Sequence, residues 1–127
     1  MERLLNKLFV IAIVLWSYSC KPTKEIAVDC QFDKIKFELT LFKDNGYDNK
    51  TNQPIDYEFC IPDNETNWNE VLAINPSLKK ASSKGRSNCK KGELLVIGNT
   101  DNKAFKSMLC KIANLGYVKE VNQIFWE

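Results

Sequence analysis

Cysteine is the residue type with the most evident chemistry in this sequence. The chain has five cysteines, and if one of them is used elsewhere, the remaining four, Cys30, Cys60, Cys89 and Cys110, can form two disulfides. No Cys-x-x-Cys pair is present, and the wide spacings between Cys30, Cys60 and Cys89 suit neither a zinc knuckle nor a thioredoxin-type redox site. The cysteines therefore predict structural disulfides, an oxidising compartment and no metal centre.

A second chemical feature is a cationic stretch, here called the basic segment (residues 79–91). It holds six cations and no acid, and it is interspersed with serine and glycine, which add hydrogen-bond donors and backbone freedom. This composition suits carboxylates, phosphates, acidic glycans or an Asp/Glu-rich protein surface. A solvated hairpin tip is the alternative, and the lack of interleaved aromatic residues argues against nucleic acid. The candidate anion- or partner-binding residues are Lys79, Lys80, Lys84, Arg86, Lys90 and Lys91.

The absence of histidine limits the catalytic options. It removes the commonest general base, the Ser-His-Asp arrangement and the usual zinc ligand. Asp56 and Glu58 lie two residues apart on a predicted strand and so point the same way, which leaves a carboxylate pair as a conceivable acid–base site. A solvated strand face is the favoured interpretation of this pair. We expect no catalytic residue, no cofactor and no metal.

The hydrophobic pattern predicts the elements that must position these groups. Alternating or continuous apolar residues predict five strands, at 34–43, 55–61, 77–83, 93–97 and 117–126. Apolar residues at helical spacing predict two helices, at 64–75 and 101–115.

From residue 55 onward the predicted order is strand, helix, strand, strand, helix, strand, which is the split βαβ repeat of ferredoxin-like domains. We therefore expect an α+β fold, a two-layer ferredoxin-like βαββαβ sandwich with an extra N-terminal strand at 34–43. Right-handed crossovers would place both helices on one face of a mainly antiparallel sheet. The odd-numbered apolar residues of the first two strands would face the helices, leaving the other face open to water or to a partner.

Strand parity constrains how the cysteines pair. Cys60 lies on the even-numbered, open face of the sheet, whereas Cys110 lies about 140° around its helix from Phe105, nearly opposite the buried stripe. Since bridged Cα atoms usually lie within about 7 Å, a Cys60–Cys110 bond would have to pass through the core. Cys30 shares the even parity of the open face, so we favour Cys30–Cys60 with Cys89–Cys110 over Cys30–Cys110 with Cys60–Cys89.

The N-terminal segment that ends at Cys20 has the layout of a secretory signal. Arg3 and Lys7 precede an apolar run, residues 8–16, that is shorter than the roughly 20 residues needed to span a bilayer as a helix. The ending Ser-Tyr-Ser-Cys at 17–20 resembles a bacterial lipoprotein signal peptide. The resemblance implies that Cys20 is lipidated and becomes the amino terminus, which leaves an even set of cysteines. An ordinary secretory leader cut near Ser19 is the alternative.

This resemblance implies a signal peptide at 1–19 and a lipidated cysteine at 20. The mixed composition of the next residues predicts that 20–31 comprise the lipidated cysteine and a tether, and the length of the remaining chain suits a single globular domain at 32–127. The resemblance also implies a cell-envelope protein, held in the membrane by its N-terminal lipid and facing the periplasm or the cell exterior.

We expect the domain to be a binding module, such as an inhibitor, an immunity-type protein or an accessory subunit, whose partner is a protein or an anionic ligand of the envelope. A small envelope hydrolase using the carboxylate pair is the alternative. Trp126 is expected in the core at the end of the last strand, although an exposed indole there would be an interface anchor.

Overall fold

The computed structural model describes residues 29–126. The predicted signal peptide, the lipidation site Cys20 and most of the tether lie outside the described residues. Within them, the α+β class is confirmed, with two α-helices and a four-stranded antiparallel sheet. The elements are β1 (Asp56–Pro62), α1 (Glu65–Ile74), β2 (Lys79–Ala81), β3 (Glu93–Asn99), α2 (Phe105–Ala113) and β4 (Asn122–Gln123).

The sheet has the strand order β2-β3-β1-β4, and each neighbouring pair is antiparallel. β1 pairs with β3 along its whole length, from Asp56 opposite Asn99 to Pro62 opposite Glu93. The two edge strands are short, with three residues in β2 and two in β4. Lysines occupy the β2 edge, a feature that discourages pairing with a further strand.

The core lies between the sheet and the two helices, as the parity of β1 predicts. Tyr57, Phe59 and Ile61 are all buried on this side. The Tyr57 ring lies close to the backbone of β3 at Gly98, where an added Cβ would lie 2.4 Å from the ring. The helices contribute their apolar stripes, which are Val71 from α1 and Phe105, Leu109, Ile112 and Ala113 from α2.

The helices begin at different kinds of residue. Asn64 caps α1, because its side-chain oxygen accepts the backbone N–H of Asn67 at 2.8 Å. The second helix begins at Phe105, four residues after the predicted start at residue 101. Thr100, just before that predicted start, does not cap the helix, since its buried hydroxyl donates to the Gly46 carbonyl at 2.6 Å and accepts from the Ile55 backbone N–H at 3.0 Å.

The strand predicted at 34–43 is not present in the described structure. Two short 3-10 helices, Phe32–Lys34 and Leu39–Leu41, flank a single parallel bridge from Ile35 to Val121. Val121 lies just before β4, which is only two residues long, so no longer ladder forms there. A second isolated bridge joins Phe42 to Asp48. Beyond Ile35 the chain turns, and the alternating apolar residues cover the end of the core instead of forming a ladder.

Candidate functional site

The basic segment covers part of the sheet face that lies opposite the helices. It begins as β2, leaves the sheet after Ala81 and returns at Glu93. In between, Gly85 adopts a positive φ of +60° and lies so close to the sheet that an added Cβ would be 2.2 Å from the Glu58 carboxylate. The same Cβ would be 2.7 Å from the Leu95 side chain. The face that the sequence predicts to be open is therefore occupied by the chain's own loop at this position.

A disulfide between Cys60 and Cys89 attaches this loop to the middle of β1, with a Cα–Cα distance of 5.5 Å. The favoured pairing of Cys30 with Cys60 and of Cys89 with Cys110 is therefore wrong, whereas the exclusion of a Cys60–Cys110 bond is confirmed. Cys60 does lie on the even-numbered face. Its partner is Cys89, because the basic segment folds onto that face. Cys30 lies elsewhere, since residues 34–43 form no strand that would carry it there.

Glu58 holds the loop from beneath. Its side chain is only 2 % exposed, and its two carboxylate oxygens accept the backbone N–H groups of Arg86 at 3.2 Å and Ser87 at 3.0 Å. Hydrogen bonds from these two backbone N–H groups replace the hydrogen bonds to water that the carboxylate loses on burial. Among the described residues, no buried side-chain polar atom lacks a hydrogen-bond partner. Glu58 therefore anchors the loop to the sheet.

Asp56, the other member of the predicted carboxylate pair, is also engaged in structural contacts. One oxygen accepts the Asn99 side-chain amide at 2.7 Å, and the other accepts the indole N–H of Trp126 at 2.6 Å. Both carboxylates of the pair thus accept hydrogen bonds that position other parts of the chain. Their contacts give no support to a role in acid–base catalysis.

The six cations of the basic segment are exposed but do not form one cluster. Lys79 and Lys80 lie on the edge strand, where the Lys80 ammonium lies 4.9 Å from the centre of the Trp68 ring. Arg86 points elsewhere, towards the end of the chain. The three others line a shared cavity of about 580 Å³. They are Lys84, Lys90 and Lys91, and the polar lining also includes Ser82, Ser83, Asp63 and Glu93.

Arg86 and the last described residues form a second surface, which we call the aromatic–cation patch (Arg86, Phe125 and Trp126). The guanidinium carbon lies 5.6 Å from the centre of the Phe125 ring, and one guanidinium N–H donates to the Phe125 carbonyl at 3.2 Å. Phe125 is 58 % exposed and Trp126 is 72 % exposed. Two large aromatic side chains are thus presented to solvent beside a cation.

The prediction that Trp126 lies in the core is wrong. β4 ends at Gln123, so the aromatic residues run past the end of the sheet. The indole is nevertheless held in place, because its N–H donates to Asp56 and the backbone N–H of Ile124 donates to the Asp56 carbonyl at 2.8 Å. A cavity of about 230 Å³ adjoins the patch, with Arg86 and Phe125 in its lining beside Lys36, Glu120, Asn122 and Gln123.

Tyr117 lines a further cavity of about 190 Å³, together with Lys90, Lys119 and Glu120. Its hydroxyl donates to the Glu70 carboxylate. Burial, this hydrogen bond and the negative charge of Glu70 all raise the pKa of Tyr117. Tyr117 therefore remains a neutral hydrogen-bond donor under physiological conditions.

Within residues 29–126, no group of three or more Cys, Asp or Glu side chains is arranged to hold a metal ion. None of the helices in this part of the chain has the length and apolar character needed to cross a membrane. No protein-family model, curated protein or solved structure matches the chain.

Proposed function

We propose that the protein is a small lipid-anchored binding module of the cell envelope, and that it binds an acidic protein surface through the aromatic–cation patch and the neighbouring lysines. The observation that carries this proposal is the exposure of Phe125 and Trp126 beside Arg86. Tryptophan and arginine are among the residues that contribute most to protein–protein binding energy. Large apolar side chains exposed near one another are also a common mark of an interaction site.

The rigidity of the patch supports the same proposal. Trp126 is hydrogen-bonded to Asp56, and Arg86 belongs to a loop that Glu58 and the Cys60–Cys89 disulfide hold against the sheet. Side chains that are already ordered lose little conformational entropy on binding, which lowers the cost of forming a complex. A surface of modest area can then bind with useful affinity.

Charge supports an acidic partner. Lys84, Lys90 and Lys91 outnumber the acids in the lining of one cavity, and no acid lies within the basic segment itself. The acids of that lining are Asp63 and Glu93. Complementary charge accelerates encounter and selects among partners more than it adds affinity. The aromatic side chains therefore supply the contact energy in this proposal, and the lysines supply attraction and selectivity.

The fold and the anchor belong to the proposal as well. The strand order β4-β1-β3-β2, with a helix after β1 and after β3, supports a ferredoxin-like sandwich to which residues 32–42 add irregular structure. The signal-peptide layout before Cys20 supports lipidation there. An anchored domain meets other membrane proteins at high effective concentration, so an individually weak contact suffices.

The anchor is tested by labelling cells with palmitate. Labelling of the wild type should be lost in Cys20→Ala and retained in Cys30→Ala, because only the first change removes the proposed acyl acceptor. Label retained in Cys20→Ala would overturn the anchor. A wild type recovered without label in the soluble fraction would also do so.

The binding surface is tested by placing a photoreactive amino acid at position 125 or, as a matched control, at position 32. Phe32 and Phe125 are both 58 % exposed, so the two probes have similar access to solvent. Crosslinking in intact cells should capture a defined partner from position 125 only, and Trp126→Ala should abolish that product. The same products from both positions, or none from position 125, would overturn the proposal.

A further inference from the structure

Among the described residues, two cysteines lie outside the Cys60–Cys89 disulfide, and they lie where the predicted tether meets the domain. Cys30 is the second of the described residues, and Cys110 lies in the last turns of α2. Asn114, the C-cap of α2, connects the two regions. Its amide nitrogen donates to the Asp29 carbonyl at 3.1 Å, and its amide oxygen accepts the Gln31 backbone N–H at 3.0 Å. The residues on both sides of Cys30 are thus bound to one side chain.

The same Asn114 also contacts Cys110, because its amide nitrogen lies 3.9 Å from the Cys110 sulfur. Cys30 lies between Asp29 and Gln31, the two residues that this same asparagine holds. Both thiols are half-buried, so neither is sealed from solvent. Asn114 thereby brings the backbone on either side of Cys30 to the end of α2 that carries Cys110.

We propose that Cys30 and Cys110 form a second disulfide, which fastens the start of the domain to α2. This pairing is the second of the two connectivities that strand parity leaves open, and the structure favours it because Cys60 is bonded to Cys89. Such a bridge would close a much longer loop of the chain than the Cys60–Cys89 bond does. Closing a longer loop restricts the unfolded chain more strongly.

Formation of the Cys30–Cys110 bond requires an oxidant. A second molecule that carries a disulfide fits this role, because it can exchange with the protein thiols. A thiolate at Cys110 attacks this disulfide and releases one thiol, leaving a mixed disulfide on Cys110. Cys30 then loses its proton, attacks the Cys110 sulfur and displaces the second thiol. Overall, two protein thiols lose two protons and two electrons, and the exchanging disulfide is reduced to two thiols.

The order of these steps follows from the environment of Cys30. Burial, the hydrogen bond to Cys110 and the charge of a Cys110 thiolate together raise the pKa of Cys30 to about 12. Cys30 is therefore protonated in neutral solution and is a poor first nucleophile, since the thiolate is the reactive form. Once Cys110 is in a mixed disulfide its negative charge is gone, and Cys30 becomes easier to deprotonate.

The bridge can be tested on the purified full-length protein with oxidised glutathione as the oxidant. After free thiols are blocked, peptide mapping without reductant should recover one peptide pair linking Cys30 to Cys110 and another linking Cys60 to Cys89. In Cys30→Ser, glutathione should remain attached to Cys110, because the resolving thiol is missing. Blocked thiols at both Cys30 and Cys110 in the wild type, or glutathione retained there, would overturn the proposal.

Thermal unfolding provides a second measurement that separates a covalent bridge from ordinary packing. Cys30→Ser and Cys110→Ser should each lower the Tm of the oxidised protein by about 10 °C or more. The double variant should fall no further than either single variant, since one substitution already removes the bond. Additive decreases would show independent packing effects and contradict a disulfide. Ser107→Ala, an exposed change on the same helix, serves as the control.

Discussion

Glu58 lies directly beneath Arg86, and the buried carboxylate accepts the backbone N–H of the arginine at 3.2 Å. The guanidinium of the same residue donates to the Phe125 carbonyl, and its carbon lies 5.6 Å from the centre of the Phe125 ring. Glu58 therefore fixes the backbone of the basic segment without neutralising its cation by direct contact. This arrangement leaves the positive charge available at the aromatic–cation patch.

We predict that Glu58→Gln destabilises the domain. An uncharged amide keeps the shape of the side chain, but its NH₂ group cannot accept either backbone N–H, so one buried donor loses its partner. The expected decrease in the free energy of unfolding is about 1–3 kcal/mol. Urea denaturation measures it, with the exposed substitution Glu38→Gln as a control expected to stay within about 0.5 kcal/mol of the wild type. Equal effects of the two substitutions would contradict the proposed role of Glu58.

Gly85→Ala provides an independent test of the contact between the loop and the sheet. Gly85 and Gly92 both have positive φ, at +60° and +86°, so alanine strains the backbone at either position. Only at Gly85 would the new Cβ overlap Glu58, since nothing lies within 4 Å of a Cβ at Gly92. Gly85→Ala should therefore cost about 1–3 kcal/mol more than Gly92→Ala in chemical denaturation. Similar losses at both glycines would show that backbone strain alone is responsible.

The parts of the fold that periodicity predicts are those in which one element buries one face against the common core. β1, β3 and α2 are of this kind. Each buries apolar side chains on the face that packs against the core, for example Phe59, Val96 and Leu109. The α+β class follows from such elements. The segment 34–43 has the same alternation, but hydropathy cannot show that the chain beside it offers only Val121 and a two-residue strand, so that a single parallel bridge forms instead of a ladder.

The candidate site was only partly predictable, for a related reason. The composition of the basic segment identifies its cations, but its path over the sheet depends on contacts with Glu58 and Cys60, which are distant in sequence. The exposure of Trp126 likewise depends on where β4 ends and on a hydrogen bond to Asp56. Consecutive large aromatic residues at the end of a short final strand were the available signal.

Phe125→Ala should weaken binding of the partner captured at position 125. A central aromatic contact commonly contributes about 2 kcal/mol, which corresponds to roughly 30-fold in Kd. Phe32→Ala is the matched control because the two side chains are equally exposed, at 58 %. It should leave Kd unchanged, as measured by isothermal titration with the purified partner. A comparable loss in both variants would indicate a non-specific apolar contact.

The lysines should affect the rate of association more than the lifetime of the complex. Neutralising the three that share a cavity should lower the association rate constant and flatten its dependence on ionic strength, because attraction between exposed charges is screened by salt. Stopped-flow measurements at several salt concentrations test this. An equal decrease in the association rate constant for the control set would show that only the net charge of the protein matters, and not the position of these lysines. The test set is Lys84→Gln, Lys90→Gln and Lys91→Gln, and the control set of exposed lysines is Lys103→Gln, Lys106→Gln and Lys111→Gln.

Tyr57 should make the domain less stable at alkaline pH. The side chain is 1 % exposed, and burial raises the pKa of Tyr57 to about 12, although a hydrogen bond donated by the Asn75 amide at 3.2 Å opposes the shift. In the unfolded chain a tyrosine titrates near pH 10. Below that value both states keep the proton. Above it the unfolded state releases its proton first, so stability is lost progressively until the pH passes about 12.

Tyr57→Phe isolates this contribution, because phenylalanine keeps the ring but has no proton to lose. The variant will be less stable overall, since the Asn75 amide loses its acceptor. Its free energy of unfolding should nevertheless fall less steeply than that of the wild type, by about 1 kcal/mol between about pH 9 and pH 11. Urea titrations across this range measure the difference, and other titrating groups cancel because both proteins contain them. Parallel curves would mean that Tyr57 releases its proton equally readily in the folded and unfolded states, which its burial against Phe59 and Gly98 argues against.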